Sequence, residues 1–329
     1  MRLPAFDYIS PENLKELLAL KQDLGPAAAV LAGGTDLVVR LKKGLVKPQA
    51  VLSLKRVEEL NRLEADPVHL TIGAGVVLSR ILADETVRQE FPGLIEALAR
   101  IGHPTCQHHS ATLGGNLLLE PRCLYYNQSA FWRQGHERCF KAGGQVCLIN
   151  PESKECSSAN QSDGAPMLIA SSALVKLASA QGERLIPAAR LFSGKGEEPH
   201  TLGPGEILVE IKLPRPAGQT GAAYEKLAFR SALDFPLVSA AAVVGLGRDK
   251  VERARLVLGG VSPAPLLVEE ADQILRGQAP SQDLVRQAAT AAQSLAAGQM
   301  VDNTGATDDY RRQMVRVVAQ RALERALGL

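Results

Sequence analysis

An α+β chain of two successive units is the architecture this sequence predicts, and three observations carry it. Short β-like apolar runs alternate with helical periodicity over the first 100 residues. A break rich in proline and glycine, Pro214, Pro216 and Gly218, interrupts the pattern two thirds of the way along. Beyond the break strand-like runs come first and helix-like runs follow, the arrangement of a smaller α+β unit. The units are expected at 1–217 and 218–329.

In the first unit, Ser10 reads as a helix N-cap and Pro11 as the first helical position, with Leu14, Leu17 and Leu18 on one face. The run Ala29 to Ala32 then meets Gly33-Gly34-Thr35-Asp36. Val51 to Leu54 and Leu70 to Ala74 read as further strands, and a helical stretch is expected from about Ser79 to Ala99. Regular structure resumes at Met167 to Ala178 and at Val209 to Leu213. In the second unit strands are expected near Tyr224 to Phe229, Leu237 to Leu246 and Arg255 to Leu258. Helices follow at Glu269 to Leu275, Gln282 to Ala297 and Asp308 to Leu327, with Tyr310, Met314, Val317 and Val318 sharing a face of the last.

Charge and composition exclude some classes. The 37 Lys plus Arg against 35 Asp plus Glu argue against a general polyanion binder, and a single Trp against a base-stacking platform. No nucleic-acid partner is expected. The start MRLPAFDYISPENLKELL has no signal-peptide pattern, and no charge-free apolar stretch of roughly 18 residues occurs, so no membrane span and a cytoplasmic location are expected.

Five cysteines in such a chain do not suggest a disulfide framework. Four of them, Cys123, Cys139, Cys147 and Cys156, fall within 34 residues, separated by fifteen, seven and eight residues. Their segment, about 122–159, has neither a 3.6 nor a 2.0 period. A loop this long needs something to order it, and ligand bonds to a metal centre would do so. Zinc sites generally show a close cysteine pair, which is missing here, whereas cluster ligands need no short spacing. Cys106 stands apart and reads as a free thiol. His108 and His109 would point to opposite sides of an extended strand and read as surface or structural. Phe131, Trp132, Tyr125 and Tyr126 either shield the centre or anchor the loop.

Two glycine pairs complete the pattern. In LAGGTDLVVR, Leu31 to Arg40, the amides of Gly33 to Asp36 could turn towards phosphate oxygens; an ordinary strand-ending turn is the alternative. SATLGGNLLLE, Ser110 to Glu120, repeats the feature with Asn116 after the pair. The order AGGTD, ATLGGN and then Asp163-Gly164-Ala165-Pro166 resembles, over essentially the whole chain, the flavoprotein subunits of the xanthine dehydrogenase and carbon monoxide dehydrogenase family. The resemblance implies a vanillyl-alcohol-oxidase (PCMH) type FAD-binding domain followed by a smaller α+β C-terminal domain of the CO dehydrogenase flavoprotein type. It implies that Leu31, Ala32, Gly33, Gly34, Thr35 and Asp36, with Ser110, Thr112, Gly114, Gly115 and Asn116, cradle the FAD diphosphate. Asp163 and Lys226 would lie near the flavin. Arg230 and Asp234 fall in the adjoining pattern, either as cofactor contacts or as an ion pair holding a turn.

Most members lack a cysteine insertion. The form here, RCLYYNQS-x-FWR, C-F-K, V-C-L and E-C-S, resembles the 4-hydroxybenzoyl-CoA reductase branch, in which the four cysteines hold a [4Fe–4S] cluster. That resemblance implies an oxidoreductase subunit whose substrate chemistry takes place on a molybdopterin-containing large subunit. A small subunit with two [2Fe–2S] clusters would complete a heterotrimer, doubled into a symmetric assembly, with reduced ferredoxin as donor. A flavin subunit acting on an aldehyde or N-heterocycle is the alternative, and a nucleotide-binding protein with structural zinc a further one. No nucleophile–base motif for substrate chemistry on this chain stands out, so no catalytic residue is expected.

Overall fold

Two of the expected β-like runs, those near Ala29 and Val51, pair into one parallel sheet with a short strand that the pattern did not indicate, in the computed structural model, which describes residues 3–329. Ala50–Ser53 is its central strand, flanked by Asp7–Ile9 and Ala28–Leu31. All four residues of the central strand are buried, as expected where both faces of a parallel sheet are covered. The first helix begins at Leu14 and not at Pro11. Its cap is Asn13, which accepts from the Glu16 amide at 2.9 Å while the Glu16 carboxylate accepts from the Glu12 amide at 2.7 Å. That reciprocal pairing satisfies N–H groups that Ser10, further upstream, does not serve.

The stretch expected as one helix near 79–99 is three: Leu78–Ala83, Glu85–Glu90 and Pro92–Ala99. Asp84 ends the first and caps the second, accepting from the Val87 amide at 3.0 Å. Pro92, with no N–H to offer, opens the third. The broken path wraps Ile81, Val87, Leu94 and Leu98 around the largest core. Beneath it lies an antiparallel sheet in the order Leu63–Ala65, His69–Gly73, Ile207–Pro214, Leu174–Ser179, Gly182–Pro187.

The last third forms a second antiparallel sheet, ordered Leu266–Val268, Val251–Gly259, Val238–Leu246, Gln219–Leu227. Helices Glu269–Leu275, Gln282–Ala297 and Asp308–Leu327 follow it. Strand Val238–Leu246 is buried on both faces. Val238, Ala240, Ala242 and Val244 join the core shared with these helices, whereas Ala241 and Val243 join the core of the preceding part. The sheet is therefore a wall between two cores, which is why that strand reads as an unbroken apolar run.

The last helix turns inwards a face that shares Val318 with the one its periodicity suggested but is rotated away from Tyr310. Tyr310 is 45% exposed, and the buried stripe is Arg311, Val315, Val318, Ala319, Ala322, Leu323 and Ala326. Arg311 lies in the interior because its guanidinium donates to the carbonyls of Leu237 (3.1 Å), Val301 (3.0 Å) and Gly260, and to Asn303 Oδ1 (3.1 Å). A side chain with five donors closes acceptors that no apolar residue could satisfy.

The cysteine-bearing segment is pinned at its ends. Arg122 and Ala159 exchange backbone hydrogen bonds of 2.7 and 2.9 Å in an isolated antiparallel bridge. Between them the regular structure is a short helix, Ala130–Gln134, and a 3₁₀ turn, Phe140–Ala142. Among the described residues no helix is long and apolar enough to cross a membrane.

Candidate cofactor sites

Strand Ala28–Leu31 ends in a turn that leads into helix Leu37–Lys42. Gly34 sits there at φ +76°, a conformation that costs a side-chain-bearing residue about 1–2 kcal/mol. Gly33 lies against the second glycine segment so closely that a Cβ would stand 1.7 Å from the Ser110 carbonyl oxygen. The two segments thus meet backbone to backbone, but they offer different things. Among the described residues the amides of Gly33, Gly34, Thr35 and Asp36 donate to no protein acceptor. Those of the second segment are used: Leu113 to Val76 O (3.2 Å), Gly114 to Ala74 O (3.0 Å), Gly115 to Thr112 Oγ1 (3.0 Å) and Asn116 to Thr112 O (3.0 Å). Thr112 is the N-cap of a short helix, Leu113–Leu117, and its hydroxyl is engaged there. The first turn keeps four consecutive amides free to meet an anion, whereas the second segment faces the same space through Thr112, Gly114 and Gly115.

Two chambers meet at these turns. One, of about 330 Å³, is lined by Ala32 to Asp36, Arg40, Thr112, Gly114 and Gly115, with Val30, Leu54, Ala74 and Leu208 on its apolar side. The other, of about 250 Å³, is lined by Asn116, Asp163, Gln107, Arg122, Gln161, Arg230, Asp234 and Phe235. Thr35, Asp36 and Gly115 belong to both. Two ring-sized spaces joined at a waist with free amides fit a ligand of two ring systems linked by a diphosphate. Leu31, Ser110 and Lys226 line neither chamber. Leu31 pairs with Ser53 in the sheet, and Ser110 lies behind Gly33.

Lys226 lies behind Asp163. The buried carboxyl of Asp163 accepts from the Tyr224 hydroxyl at 2.5 Å and from Lys226 Nζ at 3.0 Å. The ammonium also donates to Arg100 O at 3.0 Å and Asp234 O at 2.7 Å, so its three hydrogens are all engaged within the protein. Burial pushes the Asp163 carboxyl up, opposed by the Lys226 charge and the Tyr224 hydrogen bond. Burial and the adjacent carboxylate push the Tyr224 hydroxyl well above its usual 10. Asn116 Oδ1 accepts from Ser162 Oγ (2.7 Å) and the Gly164 amide (3.0 Å), holding the turn that presents Asp163. Arg230 Nε lies 3.4 Å from Asp234 Oδ2, and both side chains also reach the second chamber.

Cys123, Cys139, Cys147 and Cys156 all line one small cavity, together with Tyr125, Tyr126, Phe140 and Lys141. Cys106 is exposed and lies elsewhere. Among the described residues no three Cys, His, Asp or Glu side chains are gathered tightly enough for a single metal ion. A tetrahedral zinc with 2.3 Å bonds would need its sulfurs about 3.8 Å apart. Burial pushes the Cys123 and Cys156 thiols up. Burial acts on Cys147 too, but hydrogen bonds from the Asn150, Ser157 and Ile149 amides outweigh it and hold that thiol below its usual value. Tyr126 is the buried aromatic against the cavity. Phe131 is 86% exposed and Trp132 stacks on His136 at 3.9 Å, so neither shields the thiols. His108 lies in a helical turn, buried, with Nε2 2.8 Å from Ile101 O.

The expected site residues left out five that line the cavities, Arg40, Arg122, Gln161, Phe235 and Lys141, and Tyr224, which holds Asp163 from behind. Two were detectable. Arg40 follows Asp36 by four residues on a helix, and Tyr224 shares a strand face with Lys226.

Fold and site together define a dinucleotide-binding protein. Residues 4–216 match the family described as the FAD binding domain in molybdopterin dehydrogenase, and residues 222–326 the CO dehydrogenase flavoprotein C-terminal domain. The chain belongs to this family, the FAD-binding medium subunits of molybdenum hydroxylases. It is 32% identical to the aldehyde oxidoreductase FAD-binding subunit of Escherichia coli strain K12 over 82% of this chain and 86% of that one. Identity is 28% to the 6-hydroxypseudooxynicotine dehydrogenase complex subunit alpha of Paenarthrobacter nicotinovorans, over 99% of this chain and 96% of that one. A solved carbon monoxide dehydrogenase from Hydrogenophaga pseudoflava superposes with a TM-score of 0.80 at 26% identity, covering 100% of this chain and 99% of that one.

Proposed function

We propose that this chain is the electron-transfer subunit of a cytoplasmic molybdenum hydroxylase complex, holding FAD across the two chambers and a [4Fe–4S] cluster in its 122–159 loop. The single observation that carries the cluster is the convergence of four cysteines, far apart in a loop without periodicity, on one cavity. Spread around that cavity and not clenched on one point, they suit one thiolate per iron of a cubane better than a zinc ion. Bound FAD would supply one- or two-electron exchange and the cluster one-electron exchange. The amides of Gly33 to Asp36 would receive the diphosphate, the Asp163 turn would orient the flavin, and Lys226 and Tyr224 would hold Asp163 in place.

The partners proposed are a molybdopterin-containing large subunit and a small subunit with two [2Fe–2S] clusters, in a heterotrimer that is doubled. The relatives, named for an aldehyde and for an N-heterocyclic alkaloid derivative, favour oxidation of a substrate of one of those classes on the large subunit. A second reading, reductive dehydroxylation of 4-hydroxybenzoyl-CoA with reduced ferredoxin as donor, rests on the cysteine loop alone.

Anaerobic purification of the native complex tests this. Separated from its partners, this subunit should carry one FAD and about four iron and four sulfide per chain. One zinc without sulfide would overturn the cluster. Turnover of aldehydes or N-heterocycles, against turnover of 4-hydroxybenzoyl-CoA with reduced ferredoxin, decides between the two substrates.

A further inference from the structure

We infer that Lys141 sets the charge at the four-cysteine site and, through Glu120 and Arg40, ties that site electrostatically to the flavin turn. The inference rests on the reading that the loop holds an iron–sulfur cluster.

Lys141 follows Cys139 by two residues and lines the cavity of the four thiols. Its side chain is only 1% exposed. An ammonium taken out of water costs several kcal/mol unless its environment supplies charge and acceptors. Glu120 Oε1 at 2.5 Å and Pro121 O at 2.8 Å do so, with the Tyr126 ring 5.1 Å from the nitrogen. The other oxygen of Glu120 takes Arg40 at 3.1 Å. Arg40 in turn approaches Asp36 Oδ2 at 3.8 Å, and the second Asp36 oxygen pairs with Arg122. An unbroken line of charges thus runs from the cysteine cavity to the turn that lines both chambers.

Its balance is informative. Three cations, Lys141, Arg40 and Arg122, face two anions, Glu120 and Asp36, leaving one positive charge. That surplus lies between two places that receive anionic groups, four thiolates on one side and a diphosphate on the other. Arg40 lines the first chamber and Arg122 the second, and each keeps a buried Nε–H without a protein acceptor. Reduction adds one electron to the cluster, so a fixed cation on its wall favours the reduced state. Lys141 supplies that cation, and Glu120 partly cancels it.

The test is a pair of substitutions with opposite expected signs, made in the anaerobically purified complex. Lys141→Gln should move the cluster midpoint, followed by its paramagnetic signal during reductive titration with dithionite, to more negative potential. It should also weaken FAD retention several-fold in a dilution assay. Glu120→Gln, which leaves Lys141 uncancelled, should move the midpoint to more positive potential. Lys141→Arg should restore the wild-type midpoint. Mere loosening of the loop cannot produce shifts of opposite sign. Equal midpoints in all variants with iron intact, or shifts of the same sign in the two glutamine variants, overturn the role of Lys141. Should Lys141→Gln lose its iron during purification, the positive shift in Glu120→Gln decides alone. A wild-type subunit without iron and sulfide overturns instead the cluster reading beneath it.

Discussion

The hydroxyl of Tyr224 reaches the carboxylate of Asp163 across 2.5 Å, joining a strand of the C-terminal sheet to the turn that lines the second chamber. Lys226, two residues along the same strand, adds the only ion pair made by that carboxylate among the described residues. Removing one partner of a buried pair leaves an uncompensated charge, so Lys226→Met should destabilise the fold by about 3–5 kcal/mol. Tyr224→Phe, which removes one hydrogen bond, should cost about 1–3 kcal/mol. Combining Lys226→Met with Asp163→Asn should recover part of the loss, because no charge then stays buried alone. Chemical denaturation of the four proteins measures this; a Lys226→Met protein as stable as wild type would show the pair to be dispensable.

Flavin content separates the two glycine segments. Gly34→Val introduces a β-branched residue at φ +76° beside the free amides, and FAD per chain should fall to near zero. Gly115→Val places its Cβ 3.1 Å from Thr112 Oγ1 and extends into both chambers, so FAD should fall there too, with the cap of the short helix disturbed. Gly33→Ala should impair folding itself, since its Cβ would meet backbone at 1.7 Å. Flavin absorbance per chain, with circular dichroism as the check on folding, reads all three. Full FAD in the Gly34 and Gly115 variants would remove these turns from the site.

Cys139→Ser or Cys147→Ser should lower iron and sulfide while FAD stays bound, because the chambers are lined by other residues. Cys106→Ser, at an exposed position outside the cavity, should keep its iron. Electron delivery from a low-potential donor should fail in the first two variants, although the flavin remains chemically reducible. Equal iron loss from all three would break the assignment of ligands.

His200 predicts an acid limb of stability. Burial holds its imidazole down to about 4, with Nε2 3.2 Å from Leu117 O at the end of the helix that follows Thr112. The unfolded chain takes up this proton at the ordinary 6.5 and the folded chain only near 4. Stability is therefore full above pH 6.5 and is lost as pH falls from there towards 4, by at most about 3 kcal/mol. His200→Gln, which can still donate to Leu117 O, should flatten that limb in unfolding curves taken across the window. An unchanged limb would place its origin in other groups.

What the sequence determined by itself is what local pattern carries. The strand Val238–Leu246 announced itself because burial on both faces leaves no polar alternation. The last three helices matched their expected limits because caps such as Ser281 and Thr307 and a run of helix formers act within a few residues. The cysteine loop was visible as a gap in periodicity. Tertiary structure alone decided the rest. Gly33 is glycine because of Ser110, Lys226 stands behind Asp163 and out of the chamber, Arg311 belongs to a core, and Lys141 shares Glu120 with Arg40. Each of these is a contact between residues distant in the chain. Periodicity reports how a segment faces the interior, but not which acceptor, carbonyl or charge will be waiting there.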